Sequence, residues 1–175
     1  ATPEMLVGLL VKIGAWAREH PDSTAASTLL GDAYLQVNQP YAAAKAFRNA
    51  LRTDPACARA REGLGLALLQ TNAPGEASKH LGHAHTLDRD NAEVLIHWGL
   101  ALLQMGNLKA AHNRFLRALE RDGKNPHAWL NLGLVDTRRG AWRSAIGHFR
   151  QAISIKPDFA QAWHNLALAC RQAGD

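Results

Sequence analysis

The stretch that decides the fold is residues 126–159, which read PHAWLNLGLVDTRRGAWRSAIGHFRQAISIKPDF. Its Trp-Leu-Asn-Leu-Gly segment, residues 129–133, returns as Trp-His-Asn-Leu-Ala at residues 163–167. This spacing is 34 residues, and at the same spacing three more positions hold apolar residues in four successive copies. One position has Ala43, Ala77, Ala111 and Ala145. The second has Phe47, Leu81, Phe115 and Phe149, and the third has Ala50, Ala84, Ala118 and Ala152. Agreement in phase across so many copies predicts an internal repeat that covers the whole chain.

Each repeat is predicted to be two helices joined by a short turn. Apolar residues within residues 64–69 and 95–103 are spaced at i, i+3 and i+4, as on one face of a helix. Turn-forming residues separate the helices at Asn38-Gln39-Pro40, Asn72-Ala73-Pro74, Gly106-Asn107 and Gly140. The pattern predicts ten helices, the first at about residues 4–20 and the last at about residues 161–173. Because one hairpin cannot bury both of its faces, we expect the hairpins to stack.

The repeat resembles the tetratricopeptide repeat, which runs Trp-x-x-Leu-Gly-x-x-Tyr, then Ala-x-x-x-Phe, then Pro over about 34 residues. Residues 126–159 carry it most clearly, with Asp136 where the family has an aromatic residue. The resemblance implies an all-α solenoid, a right-handed superhelix of antiparallel helix pairs. We expect one array over residues 1–175, with partial repeats at 1–23 and 160–175 and full repeats at 24–57, 58–91, 92–125 and 126–159.

Composition excludes several other classes of protein. Of the 175 residues 47% are hydrophobic, which rules out intrinsic disorder, and no apolar run approaches the roughly 18 residues of a membrane helix. The net charge of +5 is spread along the chain, so we expect neither nucleic-acid binding nor membrane insertion. The chain has two cysteines, Cys57 and Cys170, far apart in sequence, which slightly favours a cytoplasmic over a periplasmic location.

The resemblance also implies a binding surface, because tetratricopeptide arrays bind partners through a concave face lined by the first helix of each repeat. We number the positions of a repeat as slots 1–34, with slot 1 at residues 24, 58, 92, 126 and 160. Asn131 and Asn165 fill slot 6 of consecutive repeats, and His97 precedes them there. An amide side chain both donates to and accepts from a peptide backbone, so this ladder predicts peptide binding. The alternatives are that these asparagines bond a neighbouring helix, or that asparagine is simply common at this slot of the repeat.

A row of leucines at slot 9 also has two interpretations. Either it packs between adjacent first helices, or it leaves a groove suited to an apolar peptide or an amphipathic partner helix. The full set of predicted partner-binding residues is His97, Asn131, Asn165, Leu66, Leu100, Leu134, Leu168, Gln70, Gln104 and Arg138.

No pattern for catalysis or for a bound ion stands out. The sequence lacks a nucleophile motif, a phosphate-binding glycine loop and paired carboxylates, so we expect no enzyme activity and no cofactor. His80, His83 and His85 lie close together in sequence, but only His80 and His83 are spaced to face the same ion from one helix. Two ligands are too few for a specific site, so we expect no metal. One subtype of the family uses lysine, arginine and asparagine side chains of successive repeats to bind the terminal carboxylate of a chaperone. The equivalent slots here lack these basic residues, so we expect no binding of that kind. Asp136 lies in an interior slot and is expected to pair with Arg139 or a neighbouring-repeat group, since an unpaired buried charge is costly.

The two partial repeats each lack a helix partner in this sequence. Two interpretations follow: the sequence is part of a longer array, or its ends meet another copy. In the second case a closed homodimer is expected through the exposed apolar residues of the array ends: Leu6, Leu10, Ile13, Trp16, Trp163 and Leu166. The function predicted from all these features is a non-catalytic scaffold or adaptor that binds a protein or peptide in its groove. The alternatives are a substrate-recognition arm of a larger enzyme, such as a glycosyltransferase, and a self-assembling structural scaffold.

Overall fold

A computed structural model describes the backbone of residues 3–174 and the side chains of residues 7–174. Within residues 3–174 it contains helices and turns but no strand. The helices are α1 (Pro3–Glu19), α2 (Thr24–Gln36), α3 (Pro40–Thr53), α4 (Ala58–Gln70), α5 (Pro74–Leu87), α6 (Ala92–Gln104), α7 (Leu108–Arg121), α8 (Pro126–Arg138), α9 (Trp142–Ile155) and α10 (Ala160–Ala173). The prediction of an all-α fold with ten helices is confirmed over the described residues. The first helices begin at slot 1 of each predicted repeat.

The chain divides into two compact units, residues 1–89 and residues 90–175. In the first unit α1 packs against α2, α2 pairs with α3, and α4 pairs with α5. In the second unit α6 pairs with α7, α8 pairs with α9, and α10 packs against α9. First helices also contact one another inside each unit, α2 with α4 and α8 with both α6 and α10. The single array over residues 1–175 stays a prediction.

Small residues in the first helices allow close contact with large residues in the second helices. Phe47, Phe115 and Phe149 are fully buried, as is each alanine in the three repeated slots. A Cβ atom placed on Gly133 would lie 2.3 Å from Cε1 of Phe149, closer than two carbon atoms approach in folded proteins. The same holds for Gly99, where the distance to Cε1 of Phe115 would be 2.4 Å. The glycine at slot 8 is therefore required by the packing.

The turns inside each hairpin share one backbone conformation. Asn38 and Asn72 have φ angles of 56° and 58°, and Gly106 and Gly140 have φ angles of 77° and 74°. All four residues occupy slot 15, just after the first helix ends. Glycine and asparagine tolerate this left-handed conformation better than other residues do. The predicted turn positions are thus confirmed by the backbone geometry.

Slot 4 ties each of three first helices to the end of the preceding repeat. Trp129 donates a hydrogen bond from Nε1 to the carbonyl oxygen of Gly123 at 3.1 Å, and Trp163 donates to that of Pro157 at 2.8 Å. Arg61 makes the equivalent bond from Nε to the carbonyl oxygen of Pro55 at 3.0 Å. The repeat at residues 58–91 departs furthest from the family pattern, yet its arginine supplies the same donor as tryptophan.

Asp136 is buried and lies beside one arginine and one histidine. Its carboxylate lies 4.0 Å from Nη1 of Arg139, which confirms the expected pairing. It also lies 3.0 Å from Nδ1 of His148 on α9, although the ring N–H does not point along that line as an aligned hydrogen bond requires. Two partners make a buried carboxylate tolerable where the family places an aromatic residue.

Candidate functional site

The predicted binding residues lie on the first helices, on a surface that we call the first-helix face and define by slots 2, 5, 6, 9 and 13. In the second unit this face carries His97, Leu100 and Gln104 on α6, Asn131, Leu134 and Arg138 on α8, and Asn165 and Leu168 on α10. In the first unit it carries Leu66 and Gln70 on α4, with Leu29 and Asp32 on α2. The two parts of the face are described separately.

Asn131 is a buried side chain without an internal hydrogen-bond partner. It is only 5% exposed, yet its amide bonds to no residue between 7 and 174. Asn125, six residues earlier, is similarly buried but accepts from the backbone N–H groups of His127 and Ala128 and donates to Glu93 and Asp122. The amide atoms of Asn131 are not among the polar atoms enclosed without a partner, so water can satisfy them, and they are available to a ligand as well.

Asn165 holds the same slot as Asn131 but is in a different state. It is partly exposed, and its Nδ2 donates to the carbonyl oxygen of Gln161 on its own helix at 2.8 Å. That bond satisfies one amide hydrogen and leaves the amide oxygen unused by the residues between 7 and 174. His97, one repeat earlier, is half-buried and engaged with a neighbouring residue.

The leucines of slot 9 both pack and remain accessible. Leu100 and Leu134 contact the buried cores of the second unit but are only half-buried. Leu66 is half-buried as well, and Leu168 is exposed. The two interpretations of this row are therefore compatible, because each side chain uses one side for packing and leaves the other at the surface.

The side chains of slot 13 fall into two groups. Gln70 and Gln104 are exposed at the ends of α4 and α6. Arg138 instead reaches back to the preceding repeat, where its Nη1 donates to the carbonyl oxygen of Leu103 at 2.7 Å. Since that carbonyl is among the last of α6, the guanidinium caps the end of a helix. The structure thus gives Arg138 a packing role in addition to its place on the face.

The first unit contains an apolar cavity that the sequence did not reveal. Its volume is about 520 Å³, and its walls come from α1, α2 and the start of α4: Trp16, Thr24, Ala25, Thr28, Leu29, Asp32, Cys57 and Arg59. Five of these residues occupy slots 1, 2, 5, 6 and 9 of the first full repeat. The only available signal was Leu29 in slot 6, where later repeats place Gly63, His97 or an asparagine.

An ion pair closes one side of this cavity. Nε and Nη2 of Arg59 both donate to Oδ2 of Asp32, at 3.1 Å and 2.8 Å. The hydrogen bond and the charge of Asp32 raise the pKa of the Arg59 guanidinium above its ordinary value, so it stays charged. The pair also explains the aspartate in slot 9, where the other repeats have leucine.

The residues predicted to support self-association lie in different environments. Trp163 on α10 is 52% exposed, whereas Trp129, its equivalent in α8, is half-buried. Leu166 and Leu10 are half-buried, Trp16 is exposed beside the cavity, and the side chain of Leu6 lies outside the described residues.

Ile13 differs from the expectation of an exposed residue, because it is buried. It occupies slot 24, the position of Phe47, which in full repeats packs into the neighbouring helices. Within residues 7–19 of α1, the exposed large apolar side chains are those of Val7, Leu9, Val11 and Trp16.

The histidines of α5 form no ion-binding group. His80 is half-buried, and burial together with the nearby charge of Arg61 lowers the pKa of its ring. Across residues 7–174, no group of three histidine, cysteine or acidic side chains is close enough to hold a metal ion. Over the same residues, no helix combines the length and the apolar character needed to cross a bilayer.

Comparison with known proteins identifies the repeat. The family model described as tetratricopeptide repeat matches residues 28–80 and 97–158, well over half of the chain. A crystal structure of MamA is 27% identical, with 86% of this chain and 82% of that chain covered at a TM-score of 0.73. PilF of Pseudomonas aeruginosa is 25% identical, with 86% and 69% covered at a TM-score of 0.76.

A third structure shows the fold alone. YrrB, described as a TPR protein with an unusual peptide-binding site, is 24% identical, with 92% of this chain and 83% of that chain covered at a TM-score of 0.74. No curated protein sequence matches the chain.

Proposed function

We propose that this chain, which belongs to the tetratricopeptide repeat family, is a scaffold that binds an extended peptide of a partner protein on its first-helix face. The all-α tetratricopeptide solenoid supports a protein-interaction role, and proteins of this fold are generally non-catalytic interaction modules. The specific contribution of this chain is the chemistry of slots 6 and 9, where amide side chains stand beside half-exposed leucines.

The observation that carries the proposal is the unpartnered amide of Asn131. Its amide atoms are not among the polar atoms enclosed without a partner, so they meet water in the free protein, and a peptide can take the place of that water. A peptide backbone offers both a donor and an acceptor, which is what one amide needs. The free oxygen of Asn165 extends the same pattern to the next repeat, while Leu134 and Leu168 provide apolar contact beside it.

A selection experiment tests this function. Random peptides displayed on phage are selected on the immobilised chain, and the recovered sequences are made as fluorescent peptides for anisotropy titration. The double variant Asn131→Ala, Asn165→Ala should bind about 5- to 150-fold more weakly, equivalent to roughly 1–3 kcal/mol of lost hydrogen bonding. Asn113→Ala is the matched control, because Asn113 is an exposed amide on α7 and so on a second helix. Equal affinities for the double variant and the unaltered chain would refute the ladder.

Self-association is a second proposal, and the exposure of Trp163 favours it. The equivalent residue Trp129 contacts His148 on α9, while no second helix between residues 7 and 174 covers α10 in the same way. We propose that a second copy of the chain covers this side of α10 in a closed dimer. Burial of a large apolar side chain contributes about 1.5–3 kcal/mol, so a few such contacts support micromolar association.

A further inference from the structure

The cavity of the first unit is large enough and apolar enough to hold one large side chain. Its volume of about 520 Å³ lies within the range of known ligand pockets, and its walls are mainly apolar, apart from one ion pair and two threonines, Thr24 and Thr28. Trp16 and Leu29 are 38% and 45% exposed, respectively, so both keep apolar surface in contact with solvent. Large exposed apolar side chains that line one concave site mark it as an interaction surface.

The charge at the rim of the cavity is asymmetric. The side chain of Asp32 is 24% exposed, whereas that of Arg59 is 73% exposed, so a bound group would meet mainly the guanidinium. A guanidinium has five N–H donors, and Asp32 uses one on Nε and one on Nη2. Three donors remain without a partner among residues 7–174. This is the geometry with which arginine binds a carboxylate.

We infer that the cavity receives an aromatic or large aliphatic side chain of a partner protein, and that an adjacent carboxylate of the partner pairs with Arg59. The inference rests on the proposed function and deepens it, because it names an acidic and apolar segment as the partner. Aromatic and arginine residues at the centre of an apolar pocket supply most of the binding energy in many interfaces. Trp16 lines such a pocket here, while Arg59 at its rim adds selectivity for a negative charge.

Small molecules that carry the same two features test the inference directly. Indole-3-propionate, its uncharged primary amide and the amine tryptamine share one aromatic ring and differ in charge. Each is titrated into the isotope-labelled full chain, and the backbone amide signals in proton–nitrogen spectra report where it binds. We expect shifts confined to residues of α1, α2 and α4, with the carboxylate bound about 3- to 5-fold more tightly than the amide and tryptamine bound most weakly.

Two variants and one control separate the contributions. Arg59→Gln should remove the preference for the carboxylate, while Arg52→Gln removes the same charge from an exposed site on α3 and should leave the preference intact. Ala25→Trp fills the cavity from an exposed wall position and should weaken all three ligands. Equal binding of the carboxylate and the amide, or shifts outside these helices, would overturn the inference.

The outcomes also separate this inference from the proposed function. If selected peptides lose affinity in the Asn131 and Asn165 variant while the indole ligands leave α1, α2 and α4 unshifted, only the cavity inference fails. If the indole ligands bind as expected and the selected peptides are insensitive to both asparagines, the ladder fails and the cavity remains the binding site.

Discussion

Replacement of Asn131 by leucine separates a ligand-binding role from a structural one. The side chain is 5% exposed and bonds to no residue between 7 and 174, so in the free protein its hydrogen bonds are made only to water. Leucine has a similar size and already occupies slot 6 of the first full repeat as Leu29. Leucine in its place gives up hydrogen bonds to water only, and an apolar replacement of similar shape at such a position is nearly neutral or stabilising. We therefore expect Asn131→Leu to leave the free energy of unfolding unchanged or to raise it by about 1 kcal/mol.

Asn125→Ala is the matched comparison, because Asn125 is a buried asparagine at the start of the same helix. Its side chain caps α8 through two backbone N–H groups and bonds two acidic side chains of the same unit. Loss of an asparagine cap costs about 0.5–2 kcal/mol, so this variant should be destabilised by at least that amount. Urea unfolding followed by circular dichroism measures both variants under the same conditions.

The reasoning requires that stability and binding change in opposite directions for Asn131→Leu. Anisotropy titration with a selected peptide should show weaker binding, by about 5-fold or more, for a variant that is no less stable than the unaltered chain. This pattern is typical of binding residues that are retained at a cost in stability. If Asn131→Leu is destabilised as strongly as Asn125→Ala, Asn131 has a structural role and the proposal loses its main support.

Three further predictions concern packing, pH and association. Gly133→Ala should destabilise the chain by about 1–3 kcal/mol, because the added methyl group overlaps Phe149. The control Gly147→Ala adds a methyl group that meets no atom within 4 Å and should stabilise the chain by about 0.5–1 kcal/mol. Equal shifts in the thermal unfolding temperature of the two variants would refute the packing scheme. Burial, assisted by the charge of Arg139, lowers the pKa of His112 below its ordinary value of 6.5 in the folded chain. The unfolded chain therefore binds a proton at His112 more readily, and the free energy of unfolding should fall as the pH drops below about 6.5. His112→Gln should reduce that loss in urea titrations at pH values above and below this point, and an undiminished loss would assign it to other groups. Sedimentation should show a concentration-dependent dimer that Trp163→Glu converts to monomer, and a monomeric unaltered chain across the micromolar range would exclude the dimer.

The sequence alone was sufficient for the repeat, the helices and the residues that pack. Its constant period places small residues, alanine or glycine, and large ones, phenylalanine or Leu81, in fixed slots, and these slots pack alike from copy to copy. Helix formation and turn conformation depend on nearby residues, so slot 15 could be predicted as a turn from Asn38 or Gly106 without any tertiary information. The pairing of Asp136 was predictable for a different reason, because an isolated buried charge is too costly in any fold.

Only the tertiary structure distinguished residues that share a slot. Asn131 and Asn165 look equivalent in the sequence, yet one is buried without an internal partner and the other bonds its own helix. Arg138 is recruited to cap α6, and the cavity beside Trp16 needs three helices at once. Exposure and hydrogen bonding depend on neighbours about one repeat away in the chain. The period predicts which slots meet, whereas the side chains that happen to fill the adjacent repeats decide which polar groups remain free to bind.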